Sequence, residues 1–468
     1  MGELERRATG LGGAIYNSLA GQAPAYSIAG GAALIMQYAG AAAPLAMLLT
    51  TLGVMAIVYS VFVLAKRYPH AASLYAYVAN TLGPKAGFLN WAVYTLLYSA
   101  TLGLGSVAIA FGYLASQSLA VLTGIDVNPA YLIPLPLILA LIPAVLGIRP
   151  SIRTEIALTS AEVAILLAFA GLTIYANWGR LSPLPFTPQG TFASGFLPVL
   201  AALSGGLLYS VTYFMGFEVS TQLAEEAASP RRDVPLGTLL ATLSMGLLYV
   251  LVTYAIAANL GFSQSAVENF VDQASSGANP IYGMIGRYLG TPGEALFATA
   301  VIASVYSCYL ATLNATARMI YGVARDGLMP RRYAETNEFK SPANALYLST
   351  ALAAATAAAA YIAAYLSGYR EPIALAYNAM EYAYAVDSLY YVASLVLLAA
   401  AAFRISSLWG KAVAVAGAVL LGIAFYYSVS SLAVLSIFLG SIIVILVLEF
   451  TILRNKINSI KEVICPHC

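Results

Sequence analysis

Long apolar stretches separated by short polar loops fill almost the whole chain. A helix needs about 20 apolar residues to cross the hydrocarbon core of a bilayer. The stretches reach that length and are rich in Ala and Leu, whereas a membrane β-barrel would show alternating segments of about ten residues. The pattern predicts an all-α polytopic membrane protein with twelve transmembrane helices, at residues 12–38, 43–65, 88–122, 131–148, 154–176, 196–224, 236–260, 292–325, 343–366, 373–403, 409–428 and 431–453.

Two of these spans contain residues that disfavour a continuous helix. Span 1 contains "LAGQAPAYSIAGG", in which Pro24 lacks an amide hydrogen and clashes with the preceding turn. Span 6 contains "SGGLLYSVTYFMGFE", with Gly216 ahead of Glu218. Glycine and proline also allow membrane helices to pack closely, so either interruption alone has a purely structural explanation. Two interruptions at matching places in two five-span halves, together with Glu218, favour a transporter binding site.

The composition excludes a soluble globular protein, because 9% of the residues are charged against about 25% in soluble domains. Hydrophobic residues make up 60% of the chain, and the mean hydropathy is +0.81. The net charge of +2 is too small to indicate nucleic-acid binding. The apolar segment after Arg7 continues to about Met36, which is too long for the roughly 7–15 apolar residues of a signal peptide. We expect one membrane domain over residues 1–468, embedded in the lipid bilayer.

The distribution of Lys and Arg predicts the orientation in the membrane. With the N-terminus inside, only three of the 22 basic residues lie in outer loops, namely Arg180, Arg287 and Arg370. Basic residues accumulate in cytoplasmic loops, so this asymmetry predicts that both termini, including the tail 454–468, are cytoplasmic. We expect the protein to lie in the plasma membrane. Arg318 falls near the inner end of span 8, and the other 18 lie in inner segments: Arg6, Arg7, Lys66, Arg67, Lys85, Arg149, Arg153, Arg231, Arg232, Arg325, Arg331, Arg332, Lys340, Arg404, Lys411, Arg454, Lys456 and Lys461.

Cysteine and histidine are too rare to indicate a metal site or redox chemistry. The terminal "CPHC" places Cys465 and Cys468 in the spacing of a redox pair or half a zinc site, but it has no second ligand pair and is interpreted as a solvated tail end. The only histidines, His70 and His467, lie outside the spans, which excludes a histidine-based metal site in the membrane. No nucleophile–base pair stands out, so we expect neither an enzyme nor a cofactor.

Three segments resemble the amino acid–polyamine–organocation (APC) transporters. They are "GFEVSTQLAEEAASPRRDVPLGT" at 216–238, "NATARMIYGVARDGLMPRRYAETNEFKSPANAL" at 314–346 and "RYPHAASLYAYVANTLGPKAGFLNW" at 67–91. The resemblance implies an inverted repeat of spans 1–5 (12–176) and 6–10 (196–403), with peripheral helices at 409–453. It also implies alternating access around a central site for amino acids or related amines, coupled to protons or run as exchange.

The resemblance also implies which residues form the substrate site. Many family members have a Gly-rich triplet in span 1 whose amides bind the substrate carboxylate, but here Pro24, Ala25 and Tyr26 stand at those positions. Carboxylate binding would then fall to the amides of Ala25, Tyr26 and Ser27 and to the Ser27 hydroxyl. The full set of expected substrate-binding residues is Ala23, Pro24, Ala25, Tyr26, Ser27, Tyr94, Phe214, Met215, Gly216, Phe217 and Glu381.

Glu218 and Glu162 are the candidate proton-coupling residues, with Ser307 and Thr312 beside them. A charged side chain inside a membrane helix costs about 2.5–3.5 kcal/mol even on lenient scales, so a compensating role is expected. Glu218 is placed at the start of a second half-helix, whose dipole tolerates a carboxylate. Some proton-coupled relatives carry a lysine at the position that matches Glu162, so the carboxylate here is expected either to titrate during the cycle or to help hold a cation. A protonated glutamic acid bonded across helices is the structural alternative for either residue.

Span 10 carries a polar stripe, with Asn378, Glu381, Tyr384 and Ser388 at helical spacing and Asp387 slightly off it. Such a stripe must face protein or water. The two acids would suit a substrate ammonium or side-chain cation, and a structural network with the tyrosines is an equal alternative. The acids and the missing Gly-rich triplet keep a second cargo open, a polyamine or another organic or inorganic cation.

The inner loops "EEAASPRRDVP" and "ARDGLMPRR" are interpreted as a latch on the cytoplasmic side. Ion pairs among Arg231, Arg232, Arg325 and Asp326 would close an inner gate, and a purely topological role of the arginines has equal weight. The predicted function is secondary active amino acid transport, most simply as proton symport. Exchange and a non-translocating membrane sensor remain as alternatives.

Overall fold

Helices and the loops between them account for the described part of the chain, which comprises residues 2–275, 278–429, 432–451, 454–458 and 463 of a computed structural model. Within these residues there is no β-strand, and one isolated bridge joins Thr9 to Ala227. The α-helices are α1 Leu11–Gln22, α2 Pro24–Ala39, α3 Ala43–Arg67, α4 Leu74–Leu82, α5 Pro84–Trp91, α6 Leu104–Thr123, α7 Pro129–Leu132, α8 Pro134–Leu139, α9 Leu141–Val145, α10 Ile148–Ala176, α11 Phe196–Thr212, α12 Pro230–Asn259, α13 Gln264–Ser275, α14 Pro280–Arg325, α15 Ala343–Leu366, α16 Pro372–Ile405, α17 Leu408–Ser428, α18 Leu432–Phe450 and α19 Arg454–Asn458.

The apolar lengths of these helices confirm an all-α polytopic membrane protein. Helices such as α10, α12, α15 and α16 are long and apolar enough to cross a bilayer, and α11 and α17 are shorter apolar helices. A π-helical segment, Ala92–Gly103, joins α5 to α6 within predicted span 3. The exact number of twelve crossings stays a prediction.

Two predicted spans differ from the structure in continuity or length. Span 4 was expected as one helix, but the structure has the three short helices α7, α8 and α9. This region contains three prolines, Pro134, Pro136 and Pro143. Each lacks an amide hydrogen, so the backbone hydrogen bonds of a continuous helix are interrupted repeatedly. Span 8 was predicted from residue 292, but α14 begins at Pro280 and kinks at Gly290, where φ is 67° and ψ is −176°.

Span 1 is broken as predicted, at Ala23 between α1 and α2. Ala23 has the left-handed conformation (φ 47°, ψ 73°), and its amide bonds back to the carbonyls of Leu19 and Ala20. Pro24 then opens α2, where its missing amide hydrogen costs nothing because first-turn amides have no intrahelical partner. The break therefore follows from local chemistry that the sequence shows.

Span 6 is also broken, but its second half is not the half-helix that the sequence predicted. α11 ends at Thr212, turns follow, and a 3₁₀ helix runs over Val219–Leu223. Gly216 has φ of 88°, and a Cβ there would lie 2.6 Å from the carbonyl oxygen of Gly21. The two breaks thus touch backbone to backbone, which requires a glycine at this point.

The elements around the breaks pack into one buried cluster. α1 contacts α10, α14 and the 3₁₀ helix, and α14 also contacts α2 and α10. These helices belong to predicted spans 1, 5, 6 and 8. α16 packs against α6 and the π-helical segment and closes the cluster on the other side.

Candidate functional site

A cavity of about 450 Å³ lies beside the two helix breaks. Its walls come from the α1–α2 break, the turn after α11, the π-helical segment with α6, α14 and α16. Seven of the predicted site residues line it: Ala23, Tyr26, Ser27, Met215, Gly216, Thr312 and Glu381. Tertiary folding therefore brings together residues that are up to 358 positions apart along the chain, such as Tyr26 and Tyr384, whose hydroxyls are hydrogen-bonded.

The other predicted substrate-binding residues lie behind this surface. Pro24, Ala25, Phe214, Phe217 and Tyr94 are buried and do not line the cavity. Phe214 packs edge-on against Tyr249, with ring centroids 5.7 Å apart. In this conformation these residues lie beneath the residues that line the cavity.

The amides expected to bind a substrate carboxylate already have partners. The amide of Ala25 donates to Oε2 of Glu162 (3.5 Å), and the amide of Tyr26 donates to Oγ of Ser304 (3.1 Å). The remaining donors are used within the break, because the Ser27 amide bonds to the Ala23 carbonyl at 2.9 Å and the Ser27 hydroxyl bonds to the Gln22 carbonyl at 2.9 Å. Pro24 has no amide hydrogen to add. No free donor remains among the residues named for this role.

Glu162 joins the break in span 1 to α14. Its carboxylate is fully buried, and beside the Ala25 amide it accepts a hydrogen bond from the hydroxyl of Ser307 (3.4 Å to Oε1). Ser307, which was predicted to take part in coupling, contacts Glu162, and its coupling role stays a prediction. The arrangement ties α2, α10 and α14 together through one ionisable group.

Glu218 lies on the other side of the breaks, among tyrosines. Its Oε1 accepts a short hydrogen bond from the hydroxyl of Tyr94, and its Oε2 accepts one from Tyr391 at 2.9 Å. Tyr98, which lines the cavity, stacks near both rings, with centroids 5.2 Å from Tyr94 and 4.9 Å from Tyr391. Glu218 is therefore held by side-chain hydroxyls. The sequence had suggested a different environment, the start of a half-helix.

The acids of α16 face the cavity. Glu381, Tyr384, Asp387 and Ser388 line it, whereas the side-chain amide of Asn378 bonds to its own helix at Ala374. Asp387 is only 1% exposed; its Oδ2 lies 3.5 Å from the hydroxyl of Ser106, and its Oδ1 has no hydrogen-bond partner among the described residues. Four of the five polar residues named on span 10 therefore line the cavity, including Asp387, whereas Asn378 does not, and their role in binding stays a prediction.

Gln22 is a cavity residue that the sequence reading did not name. It lies at the C-terminal end of α1, nearly buried, with its Nε2 bonded to the Ser18 carbonyl at 3.0 Å. Its Oε1 has no partner among the described residues. A polar side chain inside an apolar span is the sequence feature that could have identified Gln22 as a site residue.

On the cytoplasmic side predicted from the charges, Arg325 and Asp326 form a cluster with Glu225 and His70. Arg325 binds Glu225 in bidentate fashion (2.6 and 2.7 Å) and contacts Nε2 of His70 at 2.8 Å, which lies 3.8 Å from Asp326. Burial raises the pKa of Asp326 to about 6 and lowers the pKa of His70 to about 4. Although burial acts against it, the hydrogen bonds from Arg325 hold the pKa of Glu225 below its ordinary value.

Arg231 and Arg232 do not join this cluster. Both are exposed at the start of α12, and neither forms an ion pair within the described part of the chain. The bidentate partner of Arg325, Glu225, was not among the residues named for the latch.

A second ion pair lies where predicted span 6 ends. Glu226 is 1% exposed and pairs in bidentate fashion with Arg318, which is fully buried in α14. Arg318 also donates to the carbonyl and side-chain oxygens of Asn314, at 3.0 and 3.1 Å. The end of span 6 is therefore buried in the protein, where Glu226 pairs with Arg318 and Glu225 pairs with Arg325.

The expectation for Cys465 and Cys468 falls outside the described residues. Cys308 is a free, buried thiol that lines the cavity. Among the residues that the structure describes, no cluster of three or more His, Cys, Asp or Glu side chains could hold a metal ion.

Curated relatives of the chain are transporters. It is 26% identical over 305 residues to a methylthioribose transporter of Bacillus subtilis (61% of this chain, 60% of that protein). It is 28% identical over 292 residues to a vacuolar cationic amino acid transporter of Arabidopsis thaliana (58% and 45%) and 22% identical over 295 residues to a low-affinity putrescine importer of Escherichia coli K12 (62% and 61%). Each match spans less than two thirds of the relative's length.

Solved transporter structures share the fold. A manganese transporter of Eremococcus coleocola superposes with a TM-score of 0.56 at 13% identity, over 96% of this chain and 95% of that one. MhsT in complex with L-phenylalanine gives 0.53 at 14% identity, over 91% and 98%. At such identities the likeness establishes the fold alone.

A family model described as "Amino acid permease" matches residues 13–458, which is nearly the whole chain. The matched family and the relatives carry solutes across membranes and are not enzymes, and the helices described above are those of a multi-pass membrane protein. The chain therefore belongs to the amino acid permease family, within the APC transporters that its sequence resembles.

Proposed function

We propose that the protein is a proton-coupled symporter that carries an amino acid or a related organic amine by alternating access. One observation supports it most directly: Glu162 bonds both to the amide of Ala25 at the α1–α2 break and to Ser307 of α14, next to the cavity. A single ionisable group thus links the helix break in span 1 to α14. Relatives named as transporters of cationic amino acids and of putrescine support this cargo class.

The proton changes what Glu162 can hold. An ionised carboxylate accepts hydrogen bonds at both oxygens, whereas a protonated one must donate from one of them. The Ala25 amide can only donate, so a proton on Oε2 of Glu162 would weaken that bond. The Ser307 hydroxyl can instead accept from a protonated carboxyl, because it can donate to the Ser304 carbonyl at 3.1 Å. Proton binding would therefore weaken the link from Glu162 to α2 while the link to α14 is kept, and proton release would restore it. This difference between the two states is what couples a proton to a conformational equilibrium.

Glu218 is proposed as a second coupling group, linked to the cargo through aromatic rings. Its carboxylate bonds to Tyr94 and Tyr391, and Tyr98 lies between these rings and the cavity. A cargo molecule that moves Tyr98 would disturb both hydroxyl donors. Thr312 lines the same cavity on α14.

The wider arrangement is proposed from the positions of the two breaks. Residues 12–176 and 196–403 would form inverted repeats that rock around the cavity, with 409–453 peripheral, as in transporters with broken helices at the midplane. The cluster of Arg325, Glu225, His70 and Asp326 would close the cytoplasmic side, and both termini would lie in the cytoplasm beneath the plasma membrane.

The test is uptake into liposomes that contain the purified full-length protein, with and without an inward proton gradient. We expect the gradient to stimulate uptake and Glu162→Gln to remove that stimulation, because glutamine cannot exchange a proton. Glu338→Gln, at an exposed loop position, is the matched control and should behave as wild type. Uptake that responds to a sodium gradient alone, or equal stimulation in Glu162→Gln, would sink proton coupling through this residue.

A further inference from the structure

The cavity offers hydrogen-bond acceptors that have no donor. Oδ1 of Asp387 and Oε1 of Gln22 both belong to side chains about 1% exposed, both residues line the cavity, and neither atom has a partner among the described residues. A buried polar atom without a partner costs free energy unless a ligand or water supplies the missing bond. On these two side chains the unmet need is for donors, and the unpartnered hydroxyl of Tyr213, which also lines the cavity, can either donate or accept.

The same cavity provides little for a carboxylate. Among its lining residues there is no Arg, Lys or His. The amides at the start of α2, which would otherwise favour an anion, are bonded to Glu162 and Ser304, and Pro24 has none. A carboxylate in this cavity would also approach the two acids, Asp387 and Glu381, at close range.

Aromatic rings complete a surface suited to a cation. Tyr26, Tyr98 and Tyr384 line the cavity, and the hydroxyls of Tyr26 and Tyr384 are already bonded to each other. Their ring faces attract ammonium groups within about 6 Å of a ring centroid. An ammonium group carries three donors and no acceptor, which complements Asp387, Gln22 and these faces.

We infer that the cargo is an organic amine without a carboxyl group, whose ammonium binds Asp387. The inference rests on the proposed transport function and specifies its substrate class. Glu381, one of the acids that face the cavity, lies six residues from Asp387 and therefore about 9 Å away along α16, at 1.5 Å per residue. A second amino group at that distance would meet it, so diamines should bind better than monoamines.

Binding to the wild-type protein in detergent, with no gradient, tests the inference directly. The ligands are two matched pairs that differ by a carboxyl group, ornithine with 1,4-diaminobutane and tyrosine with tyramine, measured by isothermal titration calorimetry. We expect each amine to bind at least about tenfold more tightly than its parent amino acid, the scale of one charged hydrogen bond. Tighter or equal binding of the amino acids, or no binding of either amine, would overturn the inference.

Substitutions in the cavity test which side chains contact the bound amine. Asp387→Asn should weaken 1,4-diaminobutane binding by at least about tenfold, while Asp126→Asn, at an exposed loop position, should leave it unchanged. Glu381→Gln should reduce the preference for 1,4-diaminobutane over 1-aminobutane. Unchanged affinity in Asp387→Asn would refute the assigned contact, and if that variant does not fold, the wild-type ligand pairs still decide.

The outcomes separate this inference from the proposed function. Amine binding without gradient-stimulated uptake would leave the cargo class standing and remove proton symport. Gradient-driven uptake of amino acids with no amine binding would support proton symport and overturn the amine cargo.

Discussion

At the scale of single residues, the buried ionisable groups differ in how their charge is satisfied. Arg318 and Glu226 neutralise each other, Glu162 and Glu218 are held by neutral donors, and Asp387 keeps one oxygen free. Paired charges serve structure at a cost that their attraction largely offsets. Groups held only by neutral donors can lose or gain a proton without breaking an ion pair, which suits Glu162 and Glu218 to the proposed coupling roles.

Removing one of the two tyrosine hydroxyls that donate to Glu218 should measurably lower the stability of the protein. In Tyr391→Phe the carboxylate loses the 2.9 Å bond to its Oε2, and an unsatisfied buried acceptor costs about 1–3 kcal/mol. We expect a lower melting temperature in detergent and slower gradient-driven uptake. Tyr131→Phe, at an exposed position, is the control. A melting temperature equal to wild type would show that this hydrogen bond contributes nothing.

The cluster of Arg325, Glu225, His70 and Asp326 contains two groups whose titrations oppose each other. The folded chain holds the pKa of His70 at about 4, below its ordinary 6.5, so the stability contributed by its burial is lost as the pH falls from 6.5 to 4. Asp326 has its pKa raised from 3.8 to about 6, so its contribution is present at low pH and is lost as the pH rises through 6. Between pH 6.5 and 4 the two effects offset each other.

Asp326→Asn should separate these effects. At pH 7 the variant avoids the cost of the buried charge, and at pH 4 the wild-type carboxyl is itself neutral. The melting temperature of the variant relative to wild type should therefore fall as the pH is lowered from 7 to 4. Asp126→Asn serves as the exposed control, with no such trend expected. A pH-independent difference for Asp326→Asn would contradict the raised pKa.

At the scale of elements, the breaks in spans 1 and 6 depend on each other. Ala23 and Pro24 break span 1 by local chemistry, but the break in span 6 has room only because Gly21 and Gly216 present no side chains. The carbonyl oxygens of both glycines lie within 2.5–2.6 Å of where the other's Cβ would be. The joint is therefore one unit made of two distant chain segments.

Gly216→Ala should disrupt this joint more than a surface glycine substitution does. The added Cβ meets the Gly21 backbone, and the φ of 88° is unfavourable for alanine, at a cost of about 1–3 kcal/mol. We expect reduced thermal stability together with loss of ligand binding in the cavity. Gly171→Ala on α10, where nothing lies within 4 Å, is the control. Wild-type binding in Gly216→Ala would refute the requirement.

At the scale of the whole molecule, orientation follows from charge and is open to direct measurement. Ser265→Cys, at the exposed start of α13, should react with a membrane-impermeant maleimide on intact cells, whereas Glu338→Cys in the loop after α14 should react only after permeabilisation. Cys465 and Cys468 are replaced by serine in both variants to remove background. Labelling of position 338 on intact cells would overturn the predicted orientation.

The sequence by itself determined the class of molecule and much of its linear plan. Apolar runs of bilayer length, Pro24 in span 1 and the acids of span 10 are local features, and each predicted its element because helix length, proline chemistry and charge burial act within a few residues. The family resemblance rested on such local segments as well. The breaks and the acidic face of α16 could be named before any coordinates were known.

Only the tertiary structure decided which groups meet. The bonds from Ala25 to Glu162, from Tyr391 to Glu218 and from Arg318 to Glu226 join residues 92 to 173 positions apart, and no spacing rule reaches that far. The sequence therefore suggested free amides at the start of α2 where the fold has already used them. It could not show that Asp387 keeps an oxygen without a donor, because satisfaction of a buried polar atom is a property of its neighbours in space.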